Sequence, residues 1–415
     1  MIDERFIPLA KQLYEYRKVA KDAKTVRITL FRVNGVATHE EKFDGSELAF
    51  TLIERIVKSM IWVYGGYKIC INDEAVAMRL KSVYENERKF DADFMSSVYA
   101  KPFEVVFDET LYQACDEKIE IKETKGLKIG LDLGGTSVKA STVKDGEEIK
   151  SEVVSWKALD SNDIEYHYSF LCSVIEKMSV AGERVEGVGI STAGVVCNNE
   201  LAISLLLRNV KRETYENLFA RISQRFSLPV TVVNDGDVSA MCAQKEGNVL
   251  GIALGTSEAG GYINDGYLSG RLNELAFVPF CFYDGDVDEW SGDSGCGVNF
   301  ISQHGVRTAS KSLGYNFEGT DTEVAYAVHA EAQNDENLAK TYDIIGEYLG
   351  WALLWYNEFY TLDTVCLAGG VMSGTFSGNI VKRASEILNA HGCKILVEKA
   401  CEGGRFAQSI QASKL

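Results

Sequence analysis

The residues best suited to chemistry lie in 127–142, LKIGLDLGGTSVKAST: an apolar run, an aspartate, two glycines, a threonine, then a second β-leaning run. Val, Ile and Leu bracket the glycines at strand spacing, which predicts a β-hairpin with Gly134-Gly135-Thr136 at its tip. Such a turn can present several backbone N–H groups and one hydroxyl to an anion. Without Cβ atoms at Gly134 and Gly135, a phosphate can approach the backbone closely. Asp132 at the strand end places a carboxylate where Mg2+ can bridge it to that anion. The same residues suit an ordinary tight hairpin with polar tips, and this stretch alone does not separate the two.

The elements around it follow from periodicity. Ahead of the hairpin, 1–23 reads as a helix and 25–32 as a strand, turned by Asn34-Gly35 into a second strand over Val36–Phe43. Residues 47–63 read as an apolar helix, 67–71 as a strand, 74–87 as a helix and 103–107 as a strand. The hairpin is followed by a third strand at 149–156, a helix at 164–180 and a strand at 185–191 running into Thr192-Ala193-Gly194. Then come a helix at 215–226, a strand at 229–233 and a helix at 236–246. A second series opens with strands at 249–254 and 258–263 around Gly255-Thr256, and Asn264-Asp265-Gly266 closes a further hairpin. The tail reads as a long helix over 338–360 and a strand at 364–367 meeting Gly369-Gly370. It continues as a helix at 380–390, a strand at 394–397 and a last helix after Gly403-Gly404. Two β-β-β-helix beginnings, each with Gly and Thr in the first turn, suggest an internal duplication.

Length and composition set outer limits. At 415 residues the chain calls for two or three domains. A net charge of -17 argues against a nucleic-acid partner, since phosphate contacts need a basic footprint. It does not exclude nucleotides held locally by N–H groups and Mg2+. No stretch reaches the roughly 18 apolar residues of a membrane span, and the N-terminus lacks a signal-peptide apolar core. The 10 cysteines are scattered, most of them in apolar runs, and read as reduced thiols. The expected location is cytoplasmic, with no membrane contact.

Five stretches line up in order: GLDLGGTSVK (130–139), GVGISTAGVV (187–196), VVNDGDVSAMCA (232–243), GIALGTSEAGGYINDG (251–266) and LAGGV (367–371). This resembles the ROK family (repressor, open reading frame, kinase) of bacterial sugar kinases, over about 127 to the C-terminus. The resemblance implies an α/β, two-lobed actin-like ATPase (ribonuclease H-like) fold with duplicated βββαβα lobes. An extra N-terminal α/β or α+β module precedes them. The expected domains are 1–125, an accessory module; 126–245, the first lobe, with the helix 403–415 packing back on it; and 246–402, the second lobe. The implied reaction is ATP-dependent phosphorylation of a hydroxyl of a hexose or hexose derivative, with ATP and Mg2+ as cofactors. Phosphoryl transfer needs the hydroxyl, the γ-phosphate and a neutralising metal held in line, with a carboxylate to accept the proton.

On the resemblance, Asp235 is the catalytic base, and Asn234 beside it hydrogen-bonds the sugar; taken alone, Asn-Asp-Gly would read as a capped turn. Asn209, Gly194 and Glu274 fall at sugar-facing positions. Gly134, Gly135, Thr136 and Lys139, with Gly255 and Thr256, match the phosphate loops. Gly369 and Gly370 match the adenosine side, and Asp132 is the Mg2+ partner. A homodimer is implied too. Two departures stand out. Phe277 replaces the family's sugar-binding His, and of the family's zinc segment, at 291–298, only Cys296 remains. One cysteine cannot build a structural zinc site, so none is expected; a site rebuilt from Cys281, Cys296 and His304 is the lesser alternative. A less polar or modified sugar becomes the more plausible substrate. The competing function is a non-catalytic sugar or nucleotide sensor on the same fold, which would have no need of the base.

Overall fold

Residues 127–133, 185–192 and 230–234 intersperse Leu, Ile and Val with glycine and a few polar residues, and most of their positions are buried. In the computed structural model, which describes residues 5–122, 125–204, 206–215, 217–243, 245–400 and 404–415, they form the parallel part of a five-stranded sheet, with Val230–Asn234 at one edge. Leu127–Leu133 pairs antiparallel with Ser137–Lys144, Leu133 opposite Val138, so Gly134-Gly135-Thr136 forms the turn. Glu147–Ser155 closes the sheet edge. Helices Ile164–Met178 and Leu218–Phe226 bury Leu171, Ile175, Phe219 and Ile222 against Ile129, Leu131 and Ile190. On the strands also lies the helix Ala407–Ala412, whose approach explains two glycines. A Cβ on Gly130 would sit 1.7 Å from the Ser409 carbonyl oxygen, and one on Gly189 1.7 Å from that of Ala412.

This sheet belongs to a unit made of Glu117–Glu246, Gly261–Gly270 and Cys401–Leu415; Met1–Asp116, Gly247–Gly260 and Arg271–Ala400 form a second, larger unit. The strand Glu258–Asn264 runs from the larger unit into the smaller one, where Ile263 pairs with Leu268 and Tyr267–Leu268 pairs with Ile119–Glu120. The larger unit holds the parallel strands Val249–Leu254, Thr364–Ala368 and Leu396–Lys399. Its long helix Glu336–Tyr356 packs on Ser377–Ala390. It also holds a four-stranded sheet ordered Val36–Phe43, Lys24–Phe31, Lys68–Ile71, Glu104–Phe107.

The sequence reading of 1–23 as one helix needs correction from residue 5 onward; residues 1–4 lie outside the described residues. Phe6–Pro8 is a strand paired with Cys281–Tyr283, and the helix spans Leu9–Val19. Pro8 lacks an N–H and holds extended backbone, so the helix starts after it. Helices Lys89–Tyr99, Gln303–Ser312 and Asp321–Ala332 went unread. By contacts, Met1–Asp116 groups with segments after Gly247. The helix Glu47–Tyr64 gives the reason. Every residue from Leu52 to Val63 is buried, and one sheet face cannot cover a helix all round. Phe6 reaches Phe280, Phe300 and Tyr348, at ring separations of 5.7, 5.6 and 4.7 Å. Trp355 Nε1 donates to Ser59 Oγ at 2.9 Å.

Charge is buried here as well. Asp293 Oδ2 accepts from both Arg55 and Lys58 at 2.7 Å, and Arg88 bridges Glu54 and Asp293 at 3.0 and 3.1 Å. Burial alone would raise the Asp293 pKa, but Arg55, Lys58 and Arg88 hold it far below the usual range. Glu258 has no such cation. Burial pushes its carboxyl up to about 8, against the lowering effect of the Tyr356 hydroxyl donating to it at 3.1 Å. A carboxyl raised in the folded state stabilises fully below its ordinary 4.5 and loses that contribution as pH rises through 8. Glu258→Gln is therefore expected to match the parent protein near pH 4.5 and exceed it at pH 8 by on the order of 4 kcal/mol. Urea melts at both pH values test this; equal stability of the two proteins at pH 8 would refute the neutral, buried carboxyl.

Candidate functional site

In the smaller unit the register sets Leu133, Thr192 and Asn234 side by side at the carboxyl ends of three parallel strands. Open α/β sheets bind ligands beyond such ends. The next residues on each strand are Gly134-Gly135-Thr136, Ala193-Gly194 and Asp235. The glycine turn is closed by Gly134 N–H donating to Ser137 O at 3.0 Å. Trp156 holds it from behind: its indole N–H donates to Gly134 O at 2.7 Å and its backbone N–H to Thr136 O at 3.1 Å. Nothing in the sequence pattern singled out Trp156, which looked like an ordinary strand end. At Gly135 a Cβ would meet only Leu159 Cδ1, at 3.4 Å, so that face of the turn is open.

Asp132 is 7% exposed, and Lys139, its cross-strand neighbour, donates to Oδ2 at 2.8 Å. Lys139 thus pairs with one oxygen of Asp132. Asp235 opens the helix Asp235–Cys242 and is part-buried. Burial raises its pKa and the Asp132 charge raises it further, against the lowering effect of the helix-start N–H groups. A proton acceptor with a raised pKa is the better base near neutrality. Two carboxylates at neighbouring strand ends, one with Oδ1 free of any protein donor among the described residues, fit a hydrated divalent cation.

Asn234 caps that helix: its Oδ1 accepts from Gly236 N–H at 2.7 Å and its Nδ2 donates to Gly194 O at 2.8 Å. Gly194 has φ of 113°, and a Cβ there would sit 2.3 Å from Ile203 O, so only glycine fits. The cap thereby ties Gly194 to the Asn234-Asp235 corner. Asn209 is exposed and donates from Nδ2 to Leu159 O at 2.6 Å, on the chain that borders Gly135.

The larger unit has a similar strand edge. Ala253 pairs with Ala368, so Gly255-Thr256 and Gly369-Gly370 leave the sheet at the same end. Gly369 has φ of 93° with Leu254 O 2.5 Å from a would-be Cβ, while Thr256 and Gly370 are exposed. Gln303, which the sequence did not mark, joins these pieces. Its N–H donates to Gly255 O at 2.8 Å, its Oε1 accepts from Thr322 at 2.6 Å, and its amide nitrogen flanks Gly370. Glu274 is half-buried on a segment pinned by its own N–H to Trp62 O at 3.1 Å.

Where the sequence raised zinc, Cys296 is fully buried beside Lys58, and burial pushes its thiol up to about 12. Cys281 Sγ points at Gly295 O, and His304 Nδ1 lies 2.9 Å from Asp321. Among the described residues, no group of three or more His, Cys, Asp and Glu is placed to hold a metal, and no helix is long and apolar enough to cross a membrane.

The chain is 33% identical to a glucokinase of Streptomyces coelicolor over 144 residues, covering 33% of this chain and 44% of that protein, so it spans less than half of that relative. Its fold is similar to a ROK hexokinase of Thermus thermophilus, with TM-score 0.56 and 20% identity over 69% of this chain and 97% of that one. It is also similar to a ROK transcriptional regulator described as a homologue of the E. coli MLC protein, with TM-score 0.54 and 17% identity over 69% and 77% of the two chains. The sequence profile of the ROK family matches residues 128–404, well over half the chain, and the protein belongs to the ROK family.

Proposed function

We propose that the protein transfers the γ-phosphoryl group of ATP to a hydroxyl of a hexose or hexose derivative. The observation that supports this most is the coupling of Asp235 to Asp132 at the strand edge that also carries the open Gly134-Gly135-Thr136 turn. Asp235 accepts the hydroxyl proton as the sugar oxygen bonds to phosphorus and the bond to the β-phosphate oxygen breaks, releasing ADP. Bound Mg2+ would offset charge on the phosphates, with Asp132 as its partner. Backbone N–H groups of the glycine turn hold phosphate oxygens, joined by Thr136, Lys139, Gly255 and Thr256. Gly369 and Gly370 take the adenosine. Asn209, Asn234, Gly194 and Glu274 face the sugar. The second reading, a sensor without turnover, draws on the fold shared with the regulator.

Asp235→Asn is expected to lower kcat by about 10²–10⁴ in a coupled ADP-release assay over a panel of hexoses. Turnover within a few-fold of the parent would remove Asp235 as the base; sugar binding with no turnover in the parent protein would establish the sensor. Asp132→Asn removes the negative charge that raises the Asp235 pKa. The acidic limb of the residual kcat/KM profile is expected to move to lower pH, because Asp235 then loses its proton more readily; an unmoved or upward limb contradicts the coupling. Gly135→Val should fold, given the open space there, yet lose thermal protection by MgATP, because a branched side chain blocks the phosphate. Undiminished protection would refute the phosphate turn.

A further inference from the structure

Between residues 247 and 264 the chain carries a single charged side chain, Glu258, on the strand that leaves the Gly255-Thr256 turn. It is fully buried, and no step of the proposed transfer uses it. The pleat of the strand puts Glu258 and Gly260 on one face. The segment carrying Glu274 packs on that face: a Cβ on Gly260 would meet Leu275 Cγ at 2.7 Å and Asn273 O at 2.8 Å. From another side, the N–H groups of Leu272, Asn273 and Glu274 donate to the last carbonyls of the helix Glu47–Tyr64. Tyr64 O accepts at 3.3 Å, Val63 O at 3.0 Å and Trp62 O at 3.1 Å. Tyr360 OH donates to Asn273 Oδ1 at 2.8 Å.

Gly297 lies where these pieces meet. A Cβ there would sit 1.9 Å from Glu258 Oε2 and 2.6 Å from Leu275 O, so the two oxygens are neighbours against one glycine. Tyr356 OH donates to Glu258 Oε1 at 3.1 Å, and Val278 N–H donates to Leu275 O at 3.0 Å, which leaves that carbonyl one lone pair. Two bare acceptor oxygens buried side by side repel. A proton on Oε2 turns the same pair into a hydrogen bond and satisfies both atoms. Among the described residues, the titratable groups on the elements packed around Glu258 are Tyr356 and Tyr360, Cys296 beside Gly297, and Glu274 beside Leu275. The cations on those elements are held elsewhere: Lys58 by Asp293 at 2.7 Å and Arg271 by Asp116 at 2.6 Å. Burial accordingly lifts the Glu258 carboxyl to about 8.

We propose that Glu258 is a positioning residue: its carboxylic acid, held by Tyr356, donates to Leu275 O and latches the Gly255-Thr256 turn to the segment carrying Glu274. Its consequence for catalysis rests on the proposed function, in which that turn takes phosphate and Glu274 faces the sugar. Loss of the proton breaks the latch, so the device is sensitive to alkali. With the folded-state pKa raised, the latch is fully formed below the ordinary 4.5 and is lost as pH rises through 8. Between those limits the equilibrium constant for opening is expected to rise about tenfold per pH unit, levelling off above them.

Hydrogen exchange on the whole chain, read at the amides of 258–260 and 273–278 and corrected for the intrinsic rate at each pH, measures that opening. The parent protein is expected to follow the slope of about tenfold per unit from pH 6 to pH 8. Glu258→Gln keeps a donor and an acceptor without a titrating proton, and should show no slope. A flat profile in the parent, or the same slope in Glu258→Gln, overturns the latch. Glu258→Met keeps the bulk but neither hydrogen bond. In coupled ADP release at pH 7 it is expected to lower kcat/KM about tenfold or more, with Glu258→Gln within about threefold of the parent. Equal kcat/KM in Glu258→Met and the parent overturns the positioning role. If no sugar turns over in the parent, the kinase reading fails separately, and the exchange profiles still decide the latch.

Discussion

Much of the larger unit rests on one costly arrangement, the burial of Arg55, Lys58 and Arg88 with Glu54, Asp91 and Asp293. Removing one partner of such a network leaves an unpaired charge in low dielectric, a penalty of about 3–5 kcal/mol. The network adds little net stability over an apolar core of the same volume, yet it tolerates few alternatives to its own geometry. Because Asp293 lies 238 positions along the chain from Arg55, it fixes how the helix Glu47–Tyr64 meets the segment that follows Gly247. The Glu274 turn hangs from that helix by three backbone hydrogen bonds, so its position inherits the same precision.

The strand-edge site in the smaller unit is organised differently, by backbone geometry more than by charge. Parallel pairing brings three strand ends level, and glycines at 130 and 189 let the C-terminal helix close on the sheet behind them. Trp156 steadies the turn that the hairpin leaves at its tip, and Asn234 spends both ends of its amide on the corner that presents Asp235. What remains available for chemistry is a coupled pair of carboxylates, one paired with Lys139 and the other lifted toward the range useful for a base. The Asx cap and the catalytic assignment are therefore compatible: the cap orients the residue that would act.

On the proposed reading, function divides along the same lines. The glycine turns at the strand ends concern phosphate, where backbone N–H groups and glycine leave little room for variation. The segment carrying Glu274 and Phe277 concerns the sugar, and Phe277 there packs 4.3 Å from the Trp62 ring.

By itself the sequence determined what depends on near neighbours along the chain. The hairpin at 127–144, the apolar parallel strands, the Asn234-Asp235 corner and both glycine turns were legible because glycine, proline and strand periodicity act within a few residues. It misjudged the start of the chain, where Pro8 broke a helical pattern and the freed strand found a partner about 270 positions away, at Cys281–Tyr283. Tertiary structure alone decided that Met1–Asp116 shares a core with the later segments, since the helix Glu47–Tyr64 is buried all round, charged residues included, and nothing local says what covers it. It alone placed Trp156, Gln303 and the packing of Trp62 on Phe277, because contacts across long separations leave no spacing to read.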